Sequence, residues 1–401
     1  MNILWVKIGG LWPLNAGGRL RSFHILSELS RRHRVTVLTT HAPGEDPHAL
    51  AGQLPDCDRV MSFPYAAPKA GSLQFVGALA RSWLSPLPVD VLKWRVPALQ
   101  VEVARILGSG GVDVCVADFL HAATHVPLEG SVPVVLFAHN VEHMIWKRLA
   151  ANENRLWRRA LLEIEWRKLR RSERLACTRS RSVISVSPID AACLAEGAVS
   201  AQIESIQTGV DTAYFAANGT PEADSHLVFS GAMDWYPNED AMLFFIAEIL
   251  PRIRMEIPEV SVTVVGRNPS ARFRAAGAAA GIRITGTVDD VRPFIDEGAV
   301  YVVPLRIGGG TRLKIFEALS MGKAVVSTTV GAEGLPLNDG EHFVRADAPS
   351  DFSRAVVSLL RDPMRRRALG AAGRDLMQAR YSWRNVAQTF ESHCQNALQQ
   401  L

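Results

Sequence analysis

Lys314 and Glu317 stand three residues apart, just after the run Gly308, Gly309, Gly310, Thr311, Arg312 in VPLRIGGGTRLKIFEALSMGK. Three consecutive glycines cost backbone entropy, so they imply a special conformation or a close approach. The apolar run ending at Leu305 predicts a buried strand, and a helical pattern follows from near Thr311. The glycines thus fall in a strand-to-helix turn, where backbone N–H groups and a helix N-terminus suit an anion such as phosphate. At about 100° per residue, Gly310, Lys314 and Glu317 share one narrow face, while Ile315, Phe316 and Leu319 point into packing. A cation, open backbone and a carboxylate together match a nucleoside diphosphate, with the carboxylate accepting from paired ribose hydroxyls. The same residues also allow a simpler arrangement, a surface helix with an i,i+3 Lys–Glu pair beside a glycine turn.

Two other stretches carry candidate chemistry. IGGLWPLNAGGRLR repeats the order strand, glycines, helix start, and places Gly17, Gly18 and Arg19 in a loop suited to closing over an acceptor. It lacks GxGxxG, and the second strand ends in TTHAPG without an acidic residue, which counts against a dinucleotide dehydrogenase. VVLFAHNVEHMIW puts His139 directly after a buried strand, with Asn140, Glu142 and His143 behind it. A histidine there can orient a sugar hydroxyl or a developing charge, or serve as a structural hydrogen-bonder. No Ser-His-Asp order, HExxH or P-loop is present. Acidic residues such as Asp118 and Asp234 are too common to single out.

The elements that must position these residues are read from periodicity. NILWVKI, RVTVLTT, VDVCVAD, PVVLFAH and SVISVS are strands separated by helical patterns, and residues 150–176 form one long helical stretch. After the loop at residues 208–226 the alternation restarts with HLVFSGA, VSVTVVG, GIRITG, AVYVVPL, AVVST and HFVRA. Continuous β-branched runs between helices imply parallel sheets covered on both faces, hence two doubly wound α/β domains. A length of 401 residues suits two such domains. Such sheets bind ligands beyond the carboxyl ends of their strands, so a cleft between the two is the expected site.

Composition narrows the partners. A 48% hydrophobic, 21% charged chain is a folded one, and a net charge of +4 gives no argument for nucleic acid. The charge is uneven: residues 147–181 hold twelve Lys or Arg against four Glu, with Trp146, Trp157 and Trp166 interleaved. That segment suits an anionic membrane surface, or a long helix with Trp157, Trp166 and Leu169 packed inward and arginines outward. Lys7 within the first apolar run, and the lack of a small-residue cleavage site after it, argue against a signal peptide. No apolar run approaches the length of a membrane span, and any membrane contact is expected to be peripheral. Five dispersed cysteines without metal-ligand spacing suit reduced thiols in the cytoplasm.

FSGAMDWYPNEDAMLFF, VTVVGRNP, ITGTVDDVRPF, VPLRIGGGTRLKIFEALSMGKAVVSTTVGAEGL and YSWRNVAQTFE together resemble the nucleotide-sugar domain of family 4 retaining glycosyltransferases. NAGGRLRSFHILSELSRRHRVTVLT, FAHNVEH, SVSPID and TGVDTAYF extend the resemblance over the first half, and GGGTRLKIFEALSMGK resembles a subgroup from bacterial exopolysaccharide clusters. The resemblance implies a GT-B fold, two Rossmann-like domains facing across a cleft. An acceptor-side domain would span residues 1–207, completed by the C-terminal helix 381–401. A linker would cover 208–225 and the donor domain 226–380.

It also implies sugar transfer from a nucleoside diphosphate donor with retention, to a saccharide or lipid-linked acceptor, in the cytoplasm, without cofactor or metal. Glu317 matches the second glutamate of the E-x7-E motif, expected on the donor ribose, and Gly309 stands where the first would fall. Two cations common in the family would align near Ala232 and Asn238, which are uncharged. Diphosphate binding therefore shifts to Lys314, Arg312, Arg306 and the turn from Gly308 to Thr311. Gly231, Gly266, Arg267 and Val288 complete the donor side, and His139 matches a histidine that contacts the donor sugar. Gly17, Gly18, Arg19 and Asn140 fall on the acceptor and phosphate side. A non-hydrolysing sugar-nucleotide epimerase and a degenerate binding partner are the alternatives.

Overall fold

β-Branched runs supply the strands of the first sheet: β1 (Asn2–Lys7), β2 (Arg34–His41), β3 (Arg59–Pro64), β4 (Val114–Asp118), β5 (Val134–Ala138), β6 (Ser182–Ser185) and β7 (Ile203–Ser205). The computed structural model describes every residue except 15–16, 69–70, 199–200, 218, 220–221, 308–311 and 400–401. The sheet order is β3-β2-β1-β4-β5-β6-β7 and every pairing is parallel. A parallel sheet needs helical cover on both faces, which is why β4, β5 and β6 are buried throughout.

The second sheet holds β8 (His226–Ser230), β9 (Ser261–Val265), β10 (Arg283–Ile284), β11 (Val300–Val303), β12 (Ala324–Ser327) and β13 (Val344–Arg345). Its order is β10-β9-β8-β11-β12-β13, again all parallel. Residues 1–207 and 386–401 form one compact unit, and residues 208–385 the other. The last helix, Trp383–Gln399, packs Phe390 on Trp5 of β1, with ring centroids 5.3 Å apart, and Glu391 pairs with Arg32 and His33.

In both sheets the strand order reverses next to the first strand, between β1 and β4 and between β8 and β11. Loops leaving such a pair diverge to opposite faces and open a crevice, the usual ligand position in doubly wound sheets. The register sets Lys7 beside Asp118 at the carboxyl ends of β1 and β4.

Several expected elements differ. The stretch 150–176 is not one helix but two, Glu142–Asn152 and Leu156–Arg179, because Glu153 is extended and its carboxylate accepts the Arg155 N–H. GIRITG and HFVRA shrink to two-residue edge strands. β3 and β7 lack a continuous apolar run because each is an edge strand with partly exposed side chains. The helix after the glycine turn begins at Leu313, two residues later than its sequence pattern suggests, and Thr311 lies outside the described residues.

Candidate active site

At the reversal of the first sheet, burial forces the charged strand ends to satisfy one another. Asp118 is fully buried, and its carboxylate accepts from Lys7 Nζ at 3.0 Å, Trp5 Nε1 at 2.9 Å and His139 Nε2 at 2.9 Å. His139 therefore carries its proton on Nε2, leaving Nδ1 as the acceptor, 3.5 Å from Arg21 Nη1. Lys7 Nζ also donates to Ser22 Oγ at 3.1 Å.

Burial opposes ionisation of Asp118, but Lys7 and His139 override it, and its pKa falls to about 2. Burial pushes Lys7 down as well, an effect that Asp118 partly offsets. His139 is pushed down to about 3, first by burial and further by the cations Lys7 and Arg21, so it is neutral at physiological pH.

Phe119 closes this cluster. Its ring lies flat on His139, centroids 4.1 Å apart at 7°, and Lys7 Nζ sits 4.1 Å from its centre. It is a non-glycine residue at φ +76°, a strained conformation of the kind that collects at functional sites. A side chain at Gly18 would put Cβ 2.6 Å from Phe119 Cζ, so glycine is required there by packing. His139 is thus found under an aromatic lid, its side chain 2% exposed, and not facing open space at the strand end.

Arg19, expected on the acceptor side, donates to the carbonyls of Gly9, Trp12 and Pro13 and so braces its own loop. Gly17 opens the following helix, where an added Cβ would meet open space, and Asn140 donates to Glu142 at 3.3 Å. A depression of about 240 Å³ next to that loop is lined by Leu11, Trp12, Pro13, Thr40, His41 and Asp46.

The reversal of the second sheet holds the other predicted group. The amphipathic helix Leu313–Ser320 buries Ile315, Phe316 and Leu319 and leaves Lys314 and Glu317 half-buried on its remaining face. Lys314 Nζ donates to Asn238 Oδ1 at 2.7 Å and lies 4.2 Å from the centre of the Phe229 ring. Asn238 is itself fixed by donating to the Ala232 carbonyl at 2.8 Å. Lys314 therefore bonds across to the first turn of the helix Tyr236–Phe244 and not to Glu317, so the simple surface pair is not what forms.

The Glu317 carboxylate has no hydrogen bond among the described residues. Burial raises its pKa to about 7 despite the nearby Lys314. The same burial lowers Lys314 to about 7. A side chain at Gly231 would put Cβ 2.5 Å from Lys314 Nζ, and one at Gly266 would put it 1.8 Å from the Gly231 carbonyl oxygen. These two glycines let the loops after β8 and β9 nest beneath the lysine.

The other predicted donor residues are not gathered there. Arg306 forms a two-pronged pair with Asp240 and covers Phe244, Arg267 pairs with Asp234 at 3.5 Å, and Val288 packs on the hydrophobic core. Arg312 is buried and donates to the Val330 carbonyl at 3.3 Å. Gly308, Gly309, Gly310 and Thr311 lie outside the described residues. Sequence reasoning missed Lys7, Asp118, Arg21 and Phe119, and it treated Asn238 only as an absent cation. A lysine and an aspartate closing otherwise apolar buried strands were the available sign, since a buried charge needs a partner. Among the described residues no three His, Cys, Asp or Glu side chains are grouped as metal ligands would be.

The comparisons with known proteins follow the same division. Residues 17–214 match the model described as Glycosyltransferase Family 4, and residues 224–362 match Glycosyl transferases group 1. The chain belongs to glycosyltransferase family 4. It is 29% identical over 196 residues, 45% of its length, to a phosphatidyl-myo-inositol mannosyltransferase of Mycobacterium tuberculosis, covering 51% of that relative. A GDP-mannose-dependent mannosyltransferase of Corynebacterium glutamicum is 24% identical over 150 residues, 34% of this chain and 39% of the relative. The chain thus spans about half the length of the first curated relatives it matches.

Among solved structures it is similar to sucrose-phosphate synthase from Thermosynechococcus elongatus, with TM-score 0.67, 16% identity and both chains fully covered. Anabaena HepE in complex with UDP gives TM-score 0.66 at 13% identity, covering 99% of this family member and all of HepE. The fold of this family 4 chain is GT-B.

Proposed function

We propose that this chain transfers a sugar from a nucleoside diphosphate sugar to a saccharide or lipid-linked acceptor, with retention and without a metal. The observation that carries the reading is the pair on helix Leu313–Ser320. Glu317 presents a carboxylate with no hydrogen bond among the described residues, beside a lysine held by Asn238 at the start of the helix Tyr236–Phe244. The carboxylate accepts from the paired ribose hydroxyls, and the ammonium meets the diphosphate. Anabaena HepE, solved with UDP and with UDP-glucose, and the GDP-mannose-dependent relative support a donor of this class.

Chemistry then needs little from the protein beyond charge stabilisation. The bond from the anomeric carbon to the diphosphate oxygen breaks, and its electrons go to the leaving diphosphate, which Lys314 stabilises. The acceptor hydroxyl attacks the same face and its proton passes to the departing phosphate oxygen, which gives retention without a protein nucleophile. The depression of about 240 Å³ by the β1 loop, with its Trp12 wall and Asp46 carboxylate, suits a polyhydroxylated acceptor.

The test is thermal melting with UDP, GDP and their sugar conjugates, followed by turnover with EDTA present. One nucleotide raises the melting temperature, and Glu317→Ala removes that shift. Product formed in EDTA carries the donor's anomeric configuration by NMR. No shift with any nucleotide ends the proposal, and conversion of a nucleotide sugar without acceptor replaces it with epimerisation.

A further inference from the structure

The first unit exposes large apolar side chains on two helices that meet. On Leu73–Trp83, the positions Leu73, Val76, Trp83 and the following Leu84 fall on one face, and they are 90%, 55%, 58% and 92% exposed. A soluble helix puts such a face inward, whereas this one buries Ala78 and Ser82 instead. Ser82 seats the helix against Leu156–Arg179: its hydroxyl donates to Glu165 at 2.8 Å, and its carbonyl accepts from Lys168 Nζ at 2.6 Å.

Going round Leu156–Arg179 outward from that contact, the next positions are Trp157, Ile164 and Leu175, and all three are exposed. Beyond them come the exposed Arg167, Arg171 and Arg174. The buried side of this helix is formed by Trp166, Leu169, Ala176 and Cys177. Trp157 therefore does not pack inward with Trp166, contrary to the simpler sequence reading. Arg167 is paired with Glu163, while Arg170, Arg171 and Arg174 make no ion pair with a carboxylate among the described residues.

We infer that this face docks in the plane of an anionic lipid bilayer. Protruding leucine and tryptophan side chains beside uncompensated arginines match a helix pair lying at the headgroup boundary, apolar tips in the acyl region and guanidinium groups on lipid phosphates. The local charge, twelve Lys or Arg against four Glu over residues 147–181, favours an anionic surface over a second copy of the same basic face. Among the described residues no helix is long and apolar enough to cross a membrane, and none is needed for this mode. The inference is independent of the donor-site reading, since no residue is shared.

The experiment is vesicle flotation of the full chain at low salt and at about 0.5 M salt. One vesicle set is phosphatidylcholine alone and the other includes about one third phosphatidylglycerol. The chain floats with the anionic vesicles at low salt and is released at high salt. Arg171→Gln and Arg174→Gln together lower partitioning about twenty-five-fold, at about fivefold per arginine. Trp83→Ser with Leu84→Ser lowers it at least about tenfold and leaves the melting temperature unchanged, because both side chains are exposed. No flotation with anionic vesicles, or equal flotation with neutral ones, overturns the inference. So does a concentration-dependent dimer in sedimentation velocity that the Trp83/Leu84 substitutions disperse.

Discussion

Replacing Asp118 by asparagine tests whether the charge cluster at the head of the first sheet stabilises that unit as its geometry demands. Asp118 is completely buried and Lys7 is 2% exposed, and the carboxylate is the only anion bonded to that ammonium among the described residues. Asparagine keeps the shape and one acceptor oxygen but removes the charge. The buried ammonium then loses its counter-ion, and breaking a buried pair from one side costs about 3–5 kcal/mol. For a unit of this size each kcal/mol lowers the melting temperature by about 2–4 °C, so a fall of about 6–20 °C is expected.

Lys7→Met on the Asp118→Asn background removes the stranded charge and recovers at least about 2 kcal/mol, a coupling expected only for groups in direct contact. Urea unfolding followed by tryptophan emission reads this directly, because Trp5 Nε1 donates to the same carboxylate. The reasoning fails if Asp118→Asn lies within about 1 kcal/mol of wild type, or if the double variant is no more stable than the single one.

Two further predictions concern ionisation. His139 is neutral when folded, at a pKa of about 3, and about 6.5 when unfolded, so between these values the unfolded chain binds the extra proton and stability falls with acid. The stability of wild type relative to His139→Gln therefore drops by about 2.3 kcal/mol from pH 6.5 to 4.5, and a difference flat in pH refutes the buried neutral ring. Lys314 is lowered to about 7 in the folded chain, so between there and its ordinary value near 10.5 the unfolded state holds more protons and stability rises with pH. Lys314→Met abolishes that rise and leaves the nucleotide-free protein at least as stable as wild type, while UDP or GDP no longer shifts its melting temperature. A strongly destabilised Lys314→Met would make the lysine structural.

What could be read from the sequence follows the range of the interactions. Lys314 and Glu317 are one helical turn apart, so periodicity alone places them on the face away from Ile315, Phe316 and Leu319. The central strands were legible because burial on both faces leaves continuous apolar runs, and edge strands such as β3 were not because theirs are interrupted. The partners of the charged residues depend on strand order. Lys7 and Asp118 are 111 positions apart, and only the β1–β4 pairing joins them. Asn238 reaches Lys314 across 76 positions for the same reason, with β8 next to β11. No local pattern encodes either neighbour, which is why Lys7 looked like an interruption and Asn238 like a missing cation.

The two sheet reversals solve the same topological problem with opposite electrostatics. In the first unit, Asp118 accepts three hydrogen bonds, its pKa falls, and Phe119 seals His139 from solvent. A group so fully satisfied has little left to offer a ligand until Phe119 moves, and the strained backbone of that residue is the feature that would release it. In the second unit, Glu317 is pushed up and Lys314 down toward the same value, and the carboxylate carries no hydrogen bond among the described residues. Burial there penalises both charges more than Asn238, Phe229 and their mutual attraction offset, a state that hydrogen-bond donors and an anion would relieve. A ligand with two adjacent hydroxyls and a diphosphate supplies both at once. That unmet demand is the reason to look for the donor at Lys314 and Glu317.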